Sequence, residues 1–293
     1  MIMNMSAGAN IQPVVGKLLS TLNVGDTLEV PVVSDWQSRF GANIVWKVAD
    51  KNHTGYPSNS VTLITEKIIQ LMCFDAKEED NNNENRAQYG NNRYIYSNLF
   101  QWLNSDASAE NWYSAKHSAD APPTPINVGF GNDYNNLAGF INTLDSRFVA
   151  QLLETTLTVA KPSLDGGGYE TFMAKMFNPS TTESGLGNLS GIEEGAILAL
   201  FSNNDSRVAF PSAECVSSSE YSSSDFSIYN GWWWWLRTPN PSSYTVRYVM
   251  KDGTSQSIYP YDGRYGVRPL CNLPGSFRVS ETTNTSGHYT LID

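Results

Sequence analysis

Cysteine and histidine, on which metal centres and nucleophilic catalysis most often rest, are scarce in this chain, with three of each in 293 residues. Cys73, Cys215 and Cys271 form no CxxC or metal-spaced cluster, and their odd number offers no disulfide framework. Such sparse use suits folding in a reducing cytosol. The flanks of Cys73 (LMCF) and Cys271 (PLCNL) are apolar, so both are expected to be buried as small hydrophobes. Cys215 precedes a serine run and is expected to be more exposed. His53, His117 and His288 lie in no nucleophile or zinc motif. No catalytic residue, metal or cofactor is therefore assigned, and the chain reads as a non-enzyme.

Positive charge is also short: 19 Lys and Arg stand against 29 Asp and Glu, a net −10. Nucleic acid needs a basic footprint and is excluded as a partner. No apolar run reaches the ~18 residues of a membrane span, so membrane insertion is not expected. The first twenty residues carry neither a basic n-region nor a continuous apolar h-region, so a secretory signal is not expected either. The expected location is the cytoplasm or, for a protein acting outside, a virion released by lysis.

A hydrophobic content of 40%, with 12% aromatic, is enough for a buried core. Val14, Val15, Leu18, Leu19 and Leu22 keep a helical spacing, and residues 1–24 read as an N-terminal arm or assembly segment. Thr27–Val33, Ile44–Ala49, Val61–Ile64 and Glu66–Phe74 read as strands of an antiparallel meander. The acidic, Asn-rich stretch Asp75–Asn92 reads as a solvated loop. Helices are expected over 97–103, with Ser97 as N-cap, over 136–153 and over 185–203. Val216–Asn230 reads as a Ser-rich surface loop, and Asp165–Gly168 as a flexible turn. The fold class is α+β, with an antiparallel sheet, a few short helices and long loops. The main domain covers 25–280, followed by a tail over 281–293.

The most informative stretch is Gly231–Leu273. Two rigid blocks, Trp232–Pro239 and Gly266–Leu273, bracket a segment rich in Tyr, Ser, Thr, Gly and Arg. Five tyrosines, Tyr244, Tyr248, Tyr259, Tyr261 and Tyr265, fall within it, several times ordinary usage. Tyr with small polar residues is the composition of antibody paratopes, where a rigid amphipathic ring is flanked by adaptable contacts. The candidate binding residues are Ser243, Tyr244, Thr245, Arg247, Tyr248, Met250, Lys251, Ser255, Ser257, Tyr259, Tyr261, Arg264 and Tyr265. Trp235, Leu236, Arg237, Gly266 and Arg268 are the candidate scaffold. On a strand, Trp232 and Trp234 face opposite to Trp233 and Trp235. One pair is expected in the core, the other as the floor of a binding surface or the cover of a subunit contact. Arg237 and Arg268 invite an anion-binding reading; the plainer one has each guanidinium satisfy buried carbonyls or a carboxylate. Asp252-Gly253 supplies a hairpin turn.

The motifs WWWLRTP at Trp233–Pro239, Lys251-Asp252-Gly253 and GVRP at Gly266–Pro269 resemble a family of C-type-lectin-like domains of unassigned function, abundant in gut Firmicutes and their phages. Ile44–Asp50, Ser97–Asn104 and Gly191–Phe201 add weaker matches, and the resemblance covers roughly residues 25–280. The ending is also similar to variable proteins of diversity-generating retroelements, including the tropism determinant of a Bordetella phage. In that class adenine-directed mutation acts on a C-terminal segment, often at Asn codons. Between Pro241 and Asn272 this chain has no Asn, and most residues there are reachable from an Asn codon by changing adenines. Gln256 is not, and Met250 and Lys251 fit a Lys codon better.

The resemblance implies a C-type-lectin-like fold with a variable-looking binding segment at 242–265. It implies recognition of a host cell-surface protein or glycan, in a phage receptor-binding protein of the tail or a related diversified protein. A homo-oligomer, with a trimer as one option, would add avidity. Lectin-type calcium motifs such as E-P-N or W-N-D are absent. Two rivals stay open. One is a structural virion or surface protein packing its Tyr-rich face against a neighbour. The other is a relative of the formylglycine-generating enzymes, whose cysteine pair Cys73, Cys215 and Cys271 do not reproduce.

Overall fold

A computed structural model describes residues 16–292. In chain order its strands are β1 (Lys17–Leu18), β2 (Thr27–Pro31), β3 (Asn43–Lys51), β4 (Ser60–Thr65), β5 (Gln70–Leu71), β6 (Thr155–Ala160), β7 (Tyr169–Ala174) and β8 (Met176–Phe177). They continue as β9 (Trp234–Pro239), β10 (Val246–Val249), β11 (Ser255–Ile258), β12 (Gly266–Val267), β13 (Leu270–Pro274), β14 (Arg278–Val279) and β15 (Tyr289–Thr290). The protein is α+β, mostly sheet. Among the described residues no helix exceeds six residues, as in Asn98–Leu103, and none is long and apolar enough to cross a membrane.

The larger sheet has the order β15-β2-β3-β4-β13-β8 and contains the expected antiparallel meander β2–β3–β4. β2 buries every second residue, as a half-covered strand does; β4 is buried on both faces and is apolar at Val61, Leu63 and Ile64. The smaller sheet has the order β11-β10-β9-β12-β5. The two framework blocks meet here, because β12 pairs in parallel with β9, Gly266 opposite Trp234. The chain then passes through Arg268-Pro269 into the larger sheet, where β13 pairs with β4. Arg268 thus stands at the crossing between the sheets. Trp46, Trp102, Phe74, Phe140 and Phe148 are among the bulky side chains of the continuous core.

Several expectations need correction. Helix Asn98–Leu103 forms with Ser97 Oγ accepting the Phe100 N–H, but 136–153 holds only a 3-10 turn at Phe140–Thr143 and one helical turn at Ser146–Val149. Its apolar spacing still buries Phe140, Leu144 and Phe148, through turns instead of a helix face. Residues 185–203 form no helix. Gly195 lies at φ +123°, outside helical space, and the loop instead inserts Glu194 into the interior. Asp75–Asn92 is not a solvated loop: Asp75, Glu78, Asn91 and Asn92 are buried, and Glu84–Tyr89 is a short helix capped by Asn83. Asp75 accepts the backbone N–H groups of Asn91 (2.7 Å) and Asn98 (2.9 Å). Burial, then the neighbouring Glu78 and Asp120, pushes its carboxyl well above the usual carboxylate range.

Cys215 is as fully buried as Cys73 and Cys271, and burial raises all three thiols. Of the arm expected over residues 1–24, with its helical spacing from Val14 to Leu22, residues 1–15 lie outside the described residues. From Lys17 the chain is strand and 3-10 turn: β1 pairs with β14, and Leu19 and Leu22 are core. The tail is likewise tied in, with β15 pairing in parallel with β2.

Candidate functional site

The variable-looking segment leaves β9 and returns at β12, so its two ends are held by adjacent buried strands. Along β9 the tryptophans alternate as the pleat requires. Trp235 packs on Phe74 (ring centroids 5.7 Å) and Tyr265 (4.7 Å); Trp234 packs on Phe201 (6.2 Å) on the other side. Their indole N–H groups donate to the Met72 and Arg207 carbonyls, and that of Trp232 to Arg264. Three of the four rings are buried and Trp233 is half-buried against Tyr265, so neither pair floors an open surface. Lys251 covers Trp232 at 4.1 Å and lies 3.8 Å from Asp225, acting as a lid on the indoles.

The five tyrosines divide. Tyr248 and Tyr265 are buried, 8% and 4% exposed, in an edge-to-face pair 4.6 Å apart, which corrects their assignment to a binding face. β10 is an inner strand between β9 and β11, and its register sets Tyr248 opposite Trp235, so the ring is driven inward. Burial raises both hydroxyls above the ordinary tyrosine range. Met250 is likewise packed against the core. Arg247 sits opposite Ser257 on β11, whose outer edge pairs with no other strand among the described residues; Ser255 lies on the same edge. Ser243, Tyr244 and Thr245 belong to a loop held by Asn92, whose Nδ2 donates to the Ser243 (2.9 Å) and Thr245 (3.3 Å) carbonyls. Tyr244 borders a cleft of about 300 Å³ with Leu164 and Pro241.

Tyr259, Tyr261 and Arg264 come together on a ledge. Tyr259 stacks on Tyr89 at 4.0 Å and 15°, and Tyr261 lies 5.8 Å from the same ring with Lys77 above it. Arg264 pairs bidentately with Asp262 and lies 3.7 Å over the Phe130 ring. The ledge is braced by Gly129 N–H to Tyr261 O and Gly263 N–H to Gly129 O, each 2.8 Å, and by Asn132 Nδ2 to Gly263 O at 2.9 Å. Phe130 is 52% exposed at φ +65°, a conformation that costs a bulky L-residue about 1–2 kcal/mol. Strain on an exposed aromatic is not explained by core packing. Lys77, Tyr89 and Phe130 were invisible as site residues in the sequence. Their only signals are Tyr89 beside Gly90 and Phe130 between two glycines.

The scaffold residues Trp235, Leu236, Arg237, Gly266 and Arg268 are all buried. Arg237 pairs bidentately with Glu183 (2.5 and 2.8 Å) and donates to the Asn178 and Glu194 carbonyls. Glu183 also accepts from the Tyr56 hydroxyl and the Ser180 N–H, and Glu194 from Ala160 N–H and Thr238 Oγ1. Burial opposes the charge on Arg237, but Glu183 more than offsets it and the guanidinium is held above its ordinary pKa. That arrangement is the structural role, satisfying a carboxylate and carbonyls. Among the described residues no group of three or more His, Cys, Asp or Glu could hold a metal ion.

A family model described as Domain of unknown function (DUF6273) matches residues 59–275. The chain belongs to that family. The DUF6273 span takes in both framework blocks, the hairpin and every ledge residue, while β1–β3, β14 and β15 lie outside it. No curated protein and no solved structure matches the chain.

Proposed function

We propose that this DUF6273 protein is a recognition module: a C-type-lectin-like domain that binds a host cell-surface protein or glycan. The setting is a phage receptor-binding protein, carried on the virion, or a related retroelement-diversified protein. The observation that carries the reading is the ledge. Tyr259, Tyr261 and the Asp262-paired Arg264, all half-buried, gather with half-buried Tyr89 and exposed Phe130, and the first three stand on a segment whose ends are locked in two buried strands. Rigid aromatics beside Arg are the chemistry of interface hot spots, and side chains there can change without disturbing β9 or β12. Homo-oligomerisation through the free β11 edge would supply avidity.

The reading is tested by sequencing the locus in a population grown from one isolate. Adenine-directed substitutions are expected at Tyr244, Arg247, Ser255, Ser257, Tyr259, Tyr261 and Arg264, with Tyr248 and Tyr265 restricted to large apolar or aromatic residues. An invariant segment overturns the diversification reading. Wild-type adsorption to host cells by a Tyr259→Ala/Tyr261→Ala protein overturns the ledge as the binding face.

A further inference from the structure

Arg268 is 3% exposed, yet it lacks what Arg237 has. Its guanidinium donates one hydrogen bond to the protein, Nε to the Thr65 carbonyl at 2.8 Å, and Nη1 is buried with no acceptor. Among the described residues no carboxylate comes within ion-pair distance of it; the nearest acidic influence, Glu66, is engaged by Lys47 at 3.2 Å. The Trp234 ring backs the guanidinium at 5.4 Å. Burial lowers its pKa to about 10, with Glu66 acting against the shift.

Arg268 lines a cavity of about 420 Å³. Leu200, Val208, Phe210 and Ile228 form apolar wall, and Phe210 and Ile228 are 41% and 38% exposed there. The other charges nearly cancel: Lys47 with Glu66, and Lys67 on the rim against Asp205. That leaves Arg268 unopposed. With the rim charges cancelling, the single unopposed cation is balanced by one carboxylate, whereas a multiply charged anion would bring charge that nothing in the cavity offsets. The apolar wall then asks for a hydrocarbon or aromatic body behind it.

We propose that this cavity binds a small organic monocarboxylate with an apolar body, of the kind presented by the C-terminal residue of a peptide. The site shares no lining residue with the ledge, so it stands or falls separately from the recognition reading.

The test titrates the full chain with N-acetylphenylalanine and with its uncharged amide, followed by NMR of the Trp indole N–H signals and by calorimetry. The carboxylate is expected to bind at least tenfold more tightly than the amide. Phe210→Ala, on the exposed wall, is expected to weaken both ligands several-fold. Lys67→Glu, on the rim, is expected to weaken the carboxylate alone. Arg268→Gln should abolish the preference for the carboxylate, and the two rim and wall variants keep the test open if that protein does not fold. Equal affinity for acid and amide overturns the proposal, as does no saturation by about 10 mM, beyond the weak millimolar range. Glucuronate binding as tightly as N-acetylphenylalanine overturns the apolar body. Inorganic phosphate competing at equal concentration overturns carboxylate selectivity.

Discussion

Two arginines, one in each framework block, are both buried and have opposite surroundings. Arg237 on β9 meets Glu183 and carbonyls from three other segments, whereas Arg268 at the β12–β13 crossing meets one carbonyl and a cavity. Burial alone therefore does not tell a structural charge from an available one; the count and sign of its partners do. In the first site the charge is neutralised within the fold. In the second, donors are left for something else.

The largest effect expected from breaking the comparison is at Arg237. Glu183→Gln leaves a buried guanidinium without its carboxylate and should destabilise the protein by about 3–5 kcal/mol in denaturant unfolding. A loss below about 1 kcal/mol would show that the network is not what holds the 180–195 loop. Next comes the division within the tyrosines. Tyr248→Ala empties a packed position and should cost about 3 kcal/mol, while Tyr259→Ala on the ledge should cost under about 1 kcal/mol. Similar costs would erase the distinction between the scaffold and exposed parts of the segment.

A smaller effect concerns pH. Burial raises Asp75 and Glu194 above the ordinary carboxylate range, so the folded state holds protons that the unfolded state has released. Their contribution is full below the unfolded carboxylate pKa of about 4 and is lost as pH rises through the folded values. The melting temperature should thus fall from mildly acidic to alkaline pH, and Asp75→Asn should flatten that slope; an unchanged slope would clear Asp75 of the effect. The smallest expected change is Arg268→Met, about 1 kcal/mol, because one hydrogen bond is exchanged for the relief of an unpaired charge. A loss as large as that of Glu183→Gln would make Arg268 a structural residue after all.

Much of the frame was legible in the sequence. Alternation in Thr27–Pro31, Ser97 ahead of an apolar turn and Asp252-Gly253 between two polar-apolar runs each announce their element from neighbours in sequence. The 136–153 and 185–203 segments misled because apolar spacing of three and four residues fits a helix face and equally a series of turns over a core. Asp75–Asn92 misled because acidic composition reads as solvation, while its Asp75 carboxyl accepts Asn91 and Asn98 backbone N–H groups that only the fold brings near. Half of the ledge was legible, in Tyr259, Tyr261 and Arg264. Tyr89 and Phe130 were not, being more than a hundred residues away in sequence.

By itself the sequence determined what short-range chemistry can decide: the α+β class, the meander, the two rigid blocks and the Tyr-rich segment between them. Only the tertiary structure decided which tyrosines lie inward and which arginine finds a carboxylate. Those outcomes depend on partners from distant segments, Glu183 for Arg237, Trp235 for Tyr248 and Thr65 for Arg268, and contact energies of that kind exist only once the chain has closed on itself.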